Sequence, residues 1–332
     1  MKTSEMQAKF SVAMCTYNGA RFVTEQLASI AAQTRLPDEL VVSDDRSTDT
    51  TVDCVREFAR RAPFPVRLFE NEKNLGSTKN FERAIRLCEG DFIALADQDD
   101  VWLPEKLRRL EDALTDENTA LAFTDGEVVD ECLRPLDQSV WQTIRFGPEE
   151  QGLFHEGNGF TVLLDHNVVT GAAMAFKAKF KELILPFPND LIHDGIPVLH
   201  DWWAALVVAA VADLSFCSES LFKYRQHSSQ QMGVVRESED AAVGASVWRR
   251  NTFSTEIDYV RAIRERLSSI AELQVRANVL SDLEARLTHL ETRAAMPEHR
   301  LRRIAPVLRE LIARRYHLYS NGLASAAKDF WL

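Results

Sequence analysis

Three aspartates within four consecutive residues form the grouping best suited to chemistry in this sequence. Asp97 ends an apolar, strand-like segment, residues 91–97, and Asp99 and Asp100 follow it directly. Carboxylates packed this closely repel one another, so the cluster is costly unless a cation offsets the charge. Mg²⁺ and Mn²⁺ prefer oxygen ligands and often take one or two carboxylates together with substrate phosphates. The cluster therefore indicates a divalent-metal site. The alternative is a solvated turn that caps the helix predicted at Pro104.

Two other predicted strands also end in polar residues. Residues 16–19 follow the first apolar segment with Thr, Tyr, Asn and Gly, and residues 44–47 end the second with Asp, Asp, Arg and Ser. In open sheets of parallel strands, ligands bind beyond the carboxyl ends of the strands. We therefore expect these strand ends to line one shared pocket.

Strand-like and helix-like segments alternate through the first part of the chain. The predicted strands are residues 10–15, 40–45, 66–71, 91–97 and 120–125, and the predicted helices are 20–33, 49–62, 77–90 and 104–114. Strands alternating with helices of about 10–15 residues are typical of βαβ units. The pattern predicts an α/β fold with a doubly wound, mostly parallel, Rossmann-like sheet.

The rest of the chain divides at about residue 236. Before that point we predict a loop-rich region at 126–165, a strand at 168–176, a helix from Asp201, and short strands at 213–217 and 220–225. Beyond it the sequence is rich in Arg and Glu and poor in Gly and Pro, which predicts helices. We therefore expect a sheet domain at 1–235 and a helical appendage at 236–332.

Composition and charge narrow the class of protein. The chain has 332 residues, 45% hydrophobic and 27% charged, which is typical of about two globular domains. Its net charge of −11 argues against a nucleic-acid partner held by overall charge. The five cysteines form no CxxC pair, the first residues lack an apolar signal core, and the apolar run 202–212 is too short to cross a membrane. These features predict a cytoplasmic protein.

Several common nucleotide-binding and hydrolase motifs are absent. The sequence has no GxxxxGK[ST], no GxGxxG after the first strand, no GxSxG and no HExxH. A phosphorylated ligand would therefore be held without a glycine-rich loop, and a carboxylate-bound metal is the obvious substitute.

A series of segments, in order along residues 8–235, resembles the family-2 glycosyltransferases of the GT-A fold. The segments are VAMCTYNGARFVTEQLASIAAQT, ELVVSDDRSTDTT, NEKNLGSTKNFERAI, GDFIALADQDDVWLPEKL, TGAAMAF, HDWW and YRQHSSQQMG. ADQDDVW resembles the branch often described as rhamnosyltransferases of cell-surface polysaccharide assembly. The resemblance implies a GT-A sheet, a nucleoside-diphosphate-sugar donor and Mg²⁺ or Mn²⁺ as cofactor.

The resemblance also implies donor-binding roles. Thr16, Tyr17 and Asn18 would line the base and ribose, and Asp44 and Asp45 would accept hydrogen bonds from the base and a ribose hydroxyl. Further nucleotide-sugar contacts are implied for Lys79, Asp97, Asp100 and Arg225. Plain structural alternatives are packing of Tyr17 on the sheet edge, an Asx turn at Asp45, and a solvated helix position for Lys79.

The DQDD segment matches the DxD element of the family. The match implies that Asp99 ligates the metal bridging the diphosphate. His227, in YRQH, aligns with a position that completes the metal or diphosphate site in related enzymes, although a lone histidine is more often a plain surface or core residue.

The catalytic base is expected later in the chain, where two His-Asp pairs are candidates: His193-Asp194 and His200-Asp201. HDWW matches the family element whose acid deprotonates the acceptor hydroxyl, which assigns the base to Asp201 and leaves Asp194 in reserve. Asp201 also suits the N-terminus of the helix predicted there, and the two roles are compatible. Gly171 would form a tight turn beneath the acceptor. Trp202 and Trp203 would stack on sugar faces or belong to the core.

Arginines alternate with Leu, Ile and Val along residues 300–315, which predicts a basic amphipathic helix. Such a helix would lie on an anionic membrane surface, or would pack on the catalytic domain or on a second subunit.

These features predict a metal-dependent inverting glycosyltransferase that uses a UDP- or dTDP-linked sugar, with dTDP-rhamnose as one candidate. The expected acceptor is a glycan or lipid-linked glycan. A peripheral position of the protein at the inner face of the cell membrane and a homo-oligomer are both compatible with the sequence. One alternative is a nucleotidyltransferase, which usually carries a glycine-rich loop after the first strand. The other is a non-catalytic glycan-binding protein on a degenerate transferase fold, against which DQDD, HDWW and YRQH together argue.

Overall fold

A computed structural model describes residues 8–228, 230, 245–270 and 274–331. The chain divides into two compact units, which are described separately. The first unit comprises Met1–Phe187 and Leu199–Glu237, and the second comprises Pro188–Val198 and Ser238–Leu332. The second unit thus includes a short segment, 188–198, that sequence analysis placed in the sheet domain.

The first unit contains a nine-stranded sheet flanked by helices. Its strands are β1 (Phe10–Thr16), β2 (Glu39–Asp44), β3 (Val66–Glu70), β4 (Phe92–Ala96), β5 (Val101–Trp102), β6 (Thr119–Val129), β7 (Pro135–Ser139), β8 (Met174–Lys177) and β11 (Asp213–Arg225). Its helices are α1 (Val23–Ala31), α2 (Thr51–Ala59), α3 (Ser77–Leu87), α4 (Lys106–Leu114), α5 (Val140–Thr143), α6 (Pro148–His155), α7 (Gly159–Asp165), α8 (Lys181–Ile184) and α9 (His200–Ala209).

The strand order is β3-β2-β1-β4-β8-β6-β11-β5, with β7 paired to β6. The first four strands are parallel, and β8 runs antiparallel to both of its neighbours. Every residue of β1, β2 and β4 is buried, which is expected for parallel strands covered by helices on both faces. The mixed, mostly parallel sheet predicted from the sequence is therefore confirmed.

Three local predictions were wrong. The strand predicted at 168–176 begins only at Met174, because residues 171–173 form a 3₁₀ turn. The loop-rich region at 126–165 contains β7 and α5–α7, where Gly147 precedes a helix with Pro at its first position. The two short strands expected between 213 and 225 are one strand with irregular register.

The second unit is a two-stranded hairpin with a set of helices. The hairpin strands are β9 (Ile192–His193) and β10 (Ile196–Pro197), and the helices are α10 (Ala245–Ser268), α11 (Ala277–Ala294), α12 (Arg300–Ile312), α13 (Arg315–Tyr319) and α14 (Gly322–Trp331). Val307, Tyr316 and Ala326 are buried together at the centre of the last three helices. Among the described residues, no helix combines the length and apolarity that a bilayer crossing requires.

Candidate active site

The carboxyl ends of three neighbouring strands bring the predicted polar residues together. Thr16, at the end of β1, pairs in register with Asp44 of β2, and Met14 of β1 pairs with Ala96 of β4. Asp97 directly follows Ala96, so it lies at the same edge of the sheet. The three strand ends that were expected to line one pocket therefore lie side by side.

Asp44 holds the turn that follows β2. Its carboxylate accepts hydrogen bonds from the Thr16 hydroxyl at 2.7 Å, and from the backbone N–H and the hydroxyl of Ser47 at 2.8 and 2.6 Å. The residue is 1% exposed. Both oxygens of Asp44 therefore have protein partners, and any contact with a base would be made in addition to these.

Asp45 organises the loop before α3. Its carboxylate accepts hydrogen bonds from the side-chain amide of Asn71 at 2.7 Å and from the backbone N–H groups of Leu75 and Gly76 at 2.7 and 2.9 Å. Gly76 has a φ of +78°, a conformation that favours glycine. Asp45 therefore holds the β3–α3 loop in place. Its carboxylate does this instead of forming the Asx turn that was the structural alternative from the sequence.

The loop after β1 is held by Gln98, which sequence analysis did not assign a role. Its side-chain oxygen accepts from the Tyr17 N–H at 2.8 Å, and its amide donates to the Tyr17 carbonyl at 3.0 Å. A Cβ on Gly19 would lie 2.0 Å from the Gln98 oxygen, so a larger residue there would displace the Gln98 amide from Tyr17. Tyr17 is 48% exposed, which leaves its ring open to a planar ligand. Asn18 has a φ of +47° and accepts from the Thr48 N–H.

Asp99 and His227 meet despite being far apart in the sequence. Nε2 of His227 lies 2.8 Å from Oδ2 of Asp99, and the two side chains are 5% and 19% exposed. The His227 ring packs on Phe22 with 4.6 Å between ring centroids. A carboxylate oxygen and an imidazole nitrogen of the predicted metal pair are therefore adjacent at the edge of the acidic cluster.

The remaining carboxylates of the cluster are strongly desolvated. Burial, with the charges of Asp99 and Asp201, raises the pKa of Asp97 to about 7. Burial also raises the pKa of Asp100, whose Oδ2 has no hydrogen-bond partner among the described residues. The cost expected for clustered aspartates is therefore present, and one buried carboxylate oxygen has no partner in the described part of the chain.

A buried lysine lies beside these carboxylates. The Lys106 side chain is fully buried, with its ammonium 3.9 Å from the Trp102 ring centroid and in a hydrogen bond to the Ala172 carbonyl. Burial lowers the pKa of Lys106 to about 7, while the charges of Asp100 and Asp97 oppose that shift. Lys106 was not predicted as a site residue, although a lysine on the apolar face of α4 was the available signal in the sequence.

Arg225 supports the cluster from within the protein. Its Nε donates to the Asp99 carbonyl at 2.7 Å, one terminal nitrogen donates to the Glu131 carbonyl at 2.6 Å, and the other pairs with Glu25. The side chain is 2% exposed. Arg225 therefore supports the loop that carries Asp99, and the burial of its side chain argues against the nucleotide-sugar contact that the resemblance implied.

Asp201 lies at the first turn of α9 and faces the 3₁₀ turn before β8. Its Oδ2 accepts from the Gly171 N–H at 3.0 Å, and its Oδ1 accepts from the Trp202 N–H at 2.7 Å. Since the charge of Asp201 contributes to the raised pKa of Asp97, the two carboxylates share one environment. The predicted base and the predicted metal cluster are thus parts of one site.

His200, which precedes Asp201, is buried in an aromatic environment. Its ring stacks on Phe81 at 4.0 Å between centroids, and neither ring nitrogen has a hydrogen-bond partner among the described residues. Burial lowers the pKa of His200, which favours the neutral ring. A Cβ on Gly171 would lie 2.8 Å from Nε2 of His200. Glycine is therefore required where the turn meets α9.

Three predicted ligand contacts are structural residues. Trp202 and Trp203 are 3% and 1% exposed, and their indole N–H groups donate to the carbonyls of Leu163 at 2.7 Å and Ile184 at 3.0 Å. Stacking on sugar faces was therefore the wrong alternative, and core packing the right one. Lys79 donates to the Phe187 carbonyl at 2.7 Å and to Glu82 at 3.0 Å, so it joins α3 to the segment before the hairpin, and a nucleotide contact would be made in addition to these.

Asp194, the reserve candidate for the base, belongs to a cluster of potential ligand residues in the second unit. In the second unit, His193, Asp194 and Glu256 each offer a potential ligand atom within 4.8 Å of the others. Nδ1 of His193 is 2.5 Å from Oε2 of Glu256, and the Asp194 N–H donates to Oε1 at 2.6 Å. These are direct hydrogen bonds that attach the hairpin to α10. Asp201 contributes to the raised pKa of Asp97 in the first unit, whereas Asp194 belongs to the second unit.

Comparison with known proteins identifies the family. The profile described as "Glycosyl transferase family 2" matches residues 11–183, which is more than half of the chain. The dTDP-rhamnosyl transferase RfbG of Shigella flexneri is 36% identical over 109 residues, 32% of this chain and 38% of the relative. The glucosyltransferase WfgD of Escherichia coli is 29% identical over 119 residues, 36% and 46% of the two chains. These matches span less than half of each relative's length.

Solved structures share the fold over nearly the whole chain. TarS of S. aureus, in complex with UDP-GlcNAc, is 17% identical with a TM-score of 0.57, covering 97% of this chain and 89% of that one. The mannosyltransferase PcManGT of Pyrobaculum calidifontis, in complex with GDP-Man and Mn²⁺, is 20% identical with a TM-score of 0.50 and coverages of 98% and 88%. At these identities the likeness establishes the fold alone. The chain belongs to glycosyltransferase family 2 and has the GT-A fold.

Proposed function

We propose that this chain is a metal-dependent inverting glycosyltransferase that moves a sugar from a UDP- or dTDP-linked donor to a glycan or lipid-linked glycan in cell-surface polysaccharide synthesis. The observation that carries the proposal is the convergence of Asp97, Asp99 and Asp201 at one edge of the sheet. A donor site and an acceptor base require such carboxylates side by side.

The residues at this edge fit a divalent cation. Asp99 and His227 present an oxygen and a nitrogen 2.8 Å apart, and the buried Asp100 Oδ2 has no partner within the residues that the structure describes. These residues would hold the ion, with diphosphate oxygens completing its coordination. The imidazole favours Mn²⁺ over Mg²⁺, because Mg²⁺ takes oxygen ligands. When bound, the ion supplies a Lewis acid for the charge that develops on the departing diphosphate.

The protein's own part in the reaction centres on Asp201. The Gly171 N–H fixes one carboxylate oxygen at 3.0 Å and the Trp202 N–H fixes the other at 2.7 Å. A carboxylate held in this way is oriented to take the proton from an acceptor hydroxyl as that oxygen attacks the anomeric carbon. The nucleoside diphosphate leaves from the opposite face, and a single displacement inverts the configuration.

The proposed classes of donor and acceptor are based on the names of two relatives. RfbG is named a dTDP-rhamnosyl transferase, and WfgD is named an enzyme that acts on a diphosphoundecaprenol-linked sugar with UDP-Glc. We therefore propose a dTDP- or UDP-linked hexose, with dTDP-rhamnose as the first candidate. The exposed ring of Tyr17, beside the end of β1, is proposed to pack on the base.

The test combines donor binding with transfer. Purified protein is titrated with dTDP-rhamnose, UDP-glucose and UDP-GlcNAc in the presence and absence of Mn²⁺, and transfer to a lipid-diphosphate sugar acceptor is measured. We expect Asp201→Asn to keep Mn²⁺-dependent donor binding and to lose transfer by roughly 10²–10⁴-fold.

The matched control is Asp194→Asn, which removes the same charge in the second unit and should leave transfer unchanged. Normal turnover by Asp201→Asn would overturn the base assignment. Absence of Mn²⁺-dependent binding of any donor to the wild type would overturn the proposed function itself.

A further inference from the structure

Helix α12 carries apolar side chains on its outward face as well as on its packed face. Leu301, Ile304, Leu308 and Ile312 are 69%, 41%, 51% and 82% exposed. Their spacing of three and four residues places them along one side of the helix. We call this set the outer stripe. Val307, on the other side of α12, is buried against Tyr316 and Ala326. The outer stripe is therefore not needed for packing of the second unit.

The exposed charges of residues 300–331, which include the outer stripe, have one sign. Residues 300–331 contain seven basic and two acidic side chains, although the whole chain has a net charge of −11. Both acids face inward: Glu310 is fully buried against His289 and Arg315, and Asp329 pairs with Arg293. Arg302 and Arg309 are exposed beside the stripe. The exposed charged side chains of α12 to α14 are therefore basic, whereas Glu298, just before α12, is an exposed acid.

An exposed tryptophan lies at one end of the outer stripe. The Arg300 guanidinium, at the start of α12, is 5.6 Å from the ring centroid of Trp331, and Trp331 is 60% exposed. Tryptophan and arginine side chains together suit the interface between lipid headgroups and acyl chains. The tryptophan extends the apolar surface at the N-terminal end of the helix.

We infer that the outer stripe docks on an anionic phospholipid surface, with α12 lying in the plane of the interface. An apolar strip flanked by arginines is the pattern that binds at the boundary of headgroups and acyl chains. The arginines complement anionic headgroups. A second copy of the same face would bring Arg302 and Arg309 against like charges, which disfavours self-association there. This inference is independent of the proposed reaction.

The experiment measures binding of the full chain to vesicles by flotation. One set of vesicles is phosphatidylcholine alone, and the other contains about one third phosphatidylglycerol, to supply the negative surface potential that attracts basic segments. We expect binding to the anionic vesicles and little binding to the neutral ones. Removing two charges in Arg302→Gln with Arg309→Gln should weaken binding roughly thirtyfold. Leu308→Ser with Ile312→Ser should weaken it by roughly tenfold or more.

Two control proteins match these changes away from α12. Arg60→Gln with Arg61→Gln removes the same charge from an exposed part of the first unit, and Ile196→Ser removes an apolar side chain that is 51% exposed. Both should bind anionic vesicles as the wild type does. Circular dichroism and thermal unfolding verify that every variant is folded.

Equal binding to both kinds of vesicle, or undiminished binding by the Leu308→Ser, Ile312→Ser variant, overturns the inference. Light scattering tests the alternative that a second copy of the chain covers the outer stripe. A wild-type dimer that the same serine substitutions convert to monomer would assign the outer stripe to a second copy of the chain, and would also overturn the inference.

Discussion

Nε2 of His227 lies 2.8 Å from Oδ2 of Asp99, although the two residues are separated by 128 positions in the sequence. The contact joins the end of the first unit's last long strand to the loop after β4. It also gives the proposed metal site one nitrogen and one oxygen ligand. The site should therefore depend on both residues.

Replacing either partner should weaken Mn²⁺ binding. His227→Gln removes the imidazole and keeps a side chain of similar length, while Asp99→Asn removes the charge. We expect Asp99→Asn to abolish Mn²⁺-dependent donor binding and His227→Gln to reduce it, as measured by calorimetric titration with dTDP or UDP. The control is Asp53→Asn, which neutralises an exposed carboxylate on α2. Unchanged Mn²⁺ dependence in Asp99→Asn would contradict the proposed site.

The turn at Gly171 should be sensitive to a single methyl group. Gly171→Ala places a Cβ 2.8 Å from Nε2 of His200, whose ring is buried against Phe81 and has little room to move. The turn must shift, and its hydrogen bond to Asp201 is lost. We expect kcat to fall roughly ten- to a hundredfold, because small displacements of catalytic groups are costly, while KM for the donor changes little.

Steady-state kinetics verify that expectation, with Gly152→Ala as the control. A Cβ at Gly152 meets nothing within 4 Å. If Gly171→Ala and Gly152→Ala have the same kcat, the turn does not position Asp201.

Lys106 should contribute measurably to stability through its buried amine. Lys106→Met keeps much of the volume but leaves the buried Ala172 carbonyl without its donor. An unsatisfied buried group costs about 1–3 kcal/mol, so the free energy of unfolding should fall by that amount. Urea denaturation measures the change, and Lys73→Met, at an exposed position, is the control. Equal stability of the two variants would show that the amine contributes nothing net.

The buried ring of His200 should make stability depend on pH. Burial lowers the pKa of His200 in the folded state below the unfolded value of about 6.5. Between the two pKa values the unfolded chain binds more protons, so the free energy of unfolding rises with pH there. Acidification below about pH 6.5 should therefore destabilise the protein, by up to about 1.4 kcal/mol per pH unit for one site.

Thermal unfolding at a series of pH values isolates this contribution. His200→Leu should lose part of the acid sensitivity of the wild type, since leucine binds no proton. His299→Leu, at an exposed position, should retain it. Parallel pH profiles for His200→Leu and the wild type would contradict the assignment.

The sequence was sufficient for the sheet and for the position of the acidic cluster. Continuous apolar runs in β1, β2 and β4 indicate strands that are buried on both faces, and parallel strands end at the same edge of a sheet. Asp44 and Asp97 were therefore expected at the same edge of the sheet, and the structure places them on the two strands that flank β1. The same local patterns placed Asp201 at the start of a helix.

The tertiary structure decided what each polar group contacts. Arg225 and Trp202 look like ligand-binding residues in the sequence. In the structure they donate hydrogen bonds to the carbonyls of Glu131 and Leu163, which are tens of residues away along the chain. Lys106 likewise donates to a carbonyl far away along the chain, that of Ala172. Sequence periodicity reports which face of an element is buried, but it carries no information on the element packed against that face. Hydrogen bonds between distant segments therefore became visible only in the folded chain.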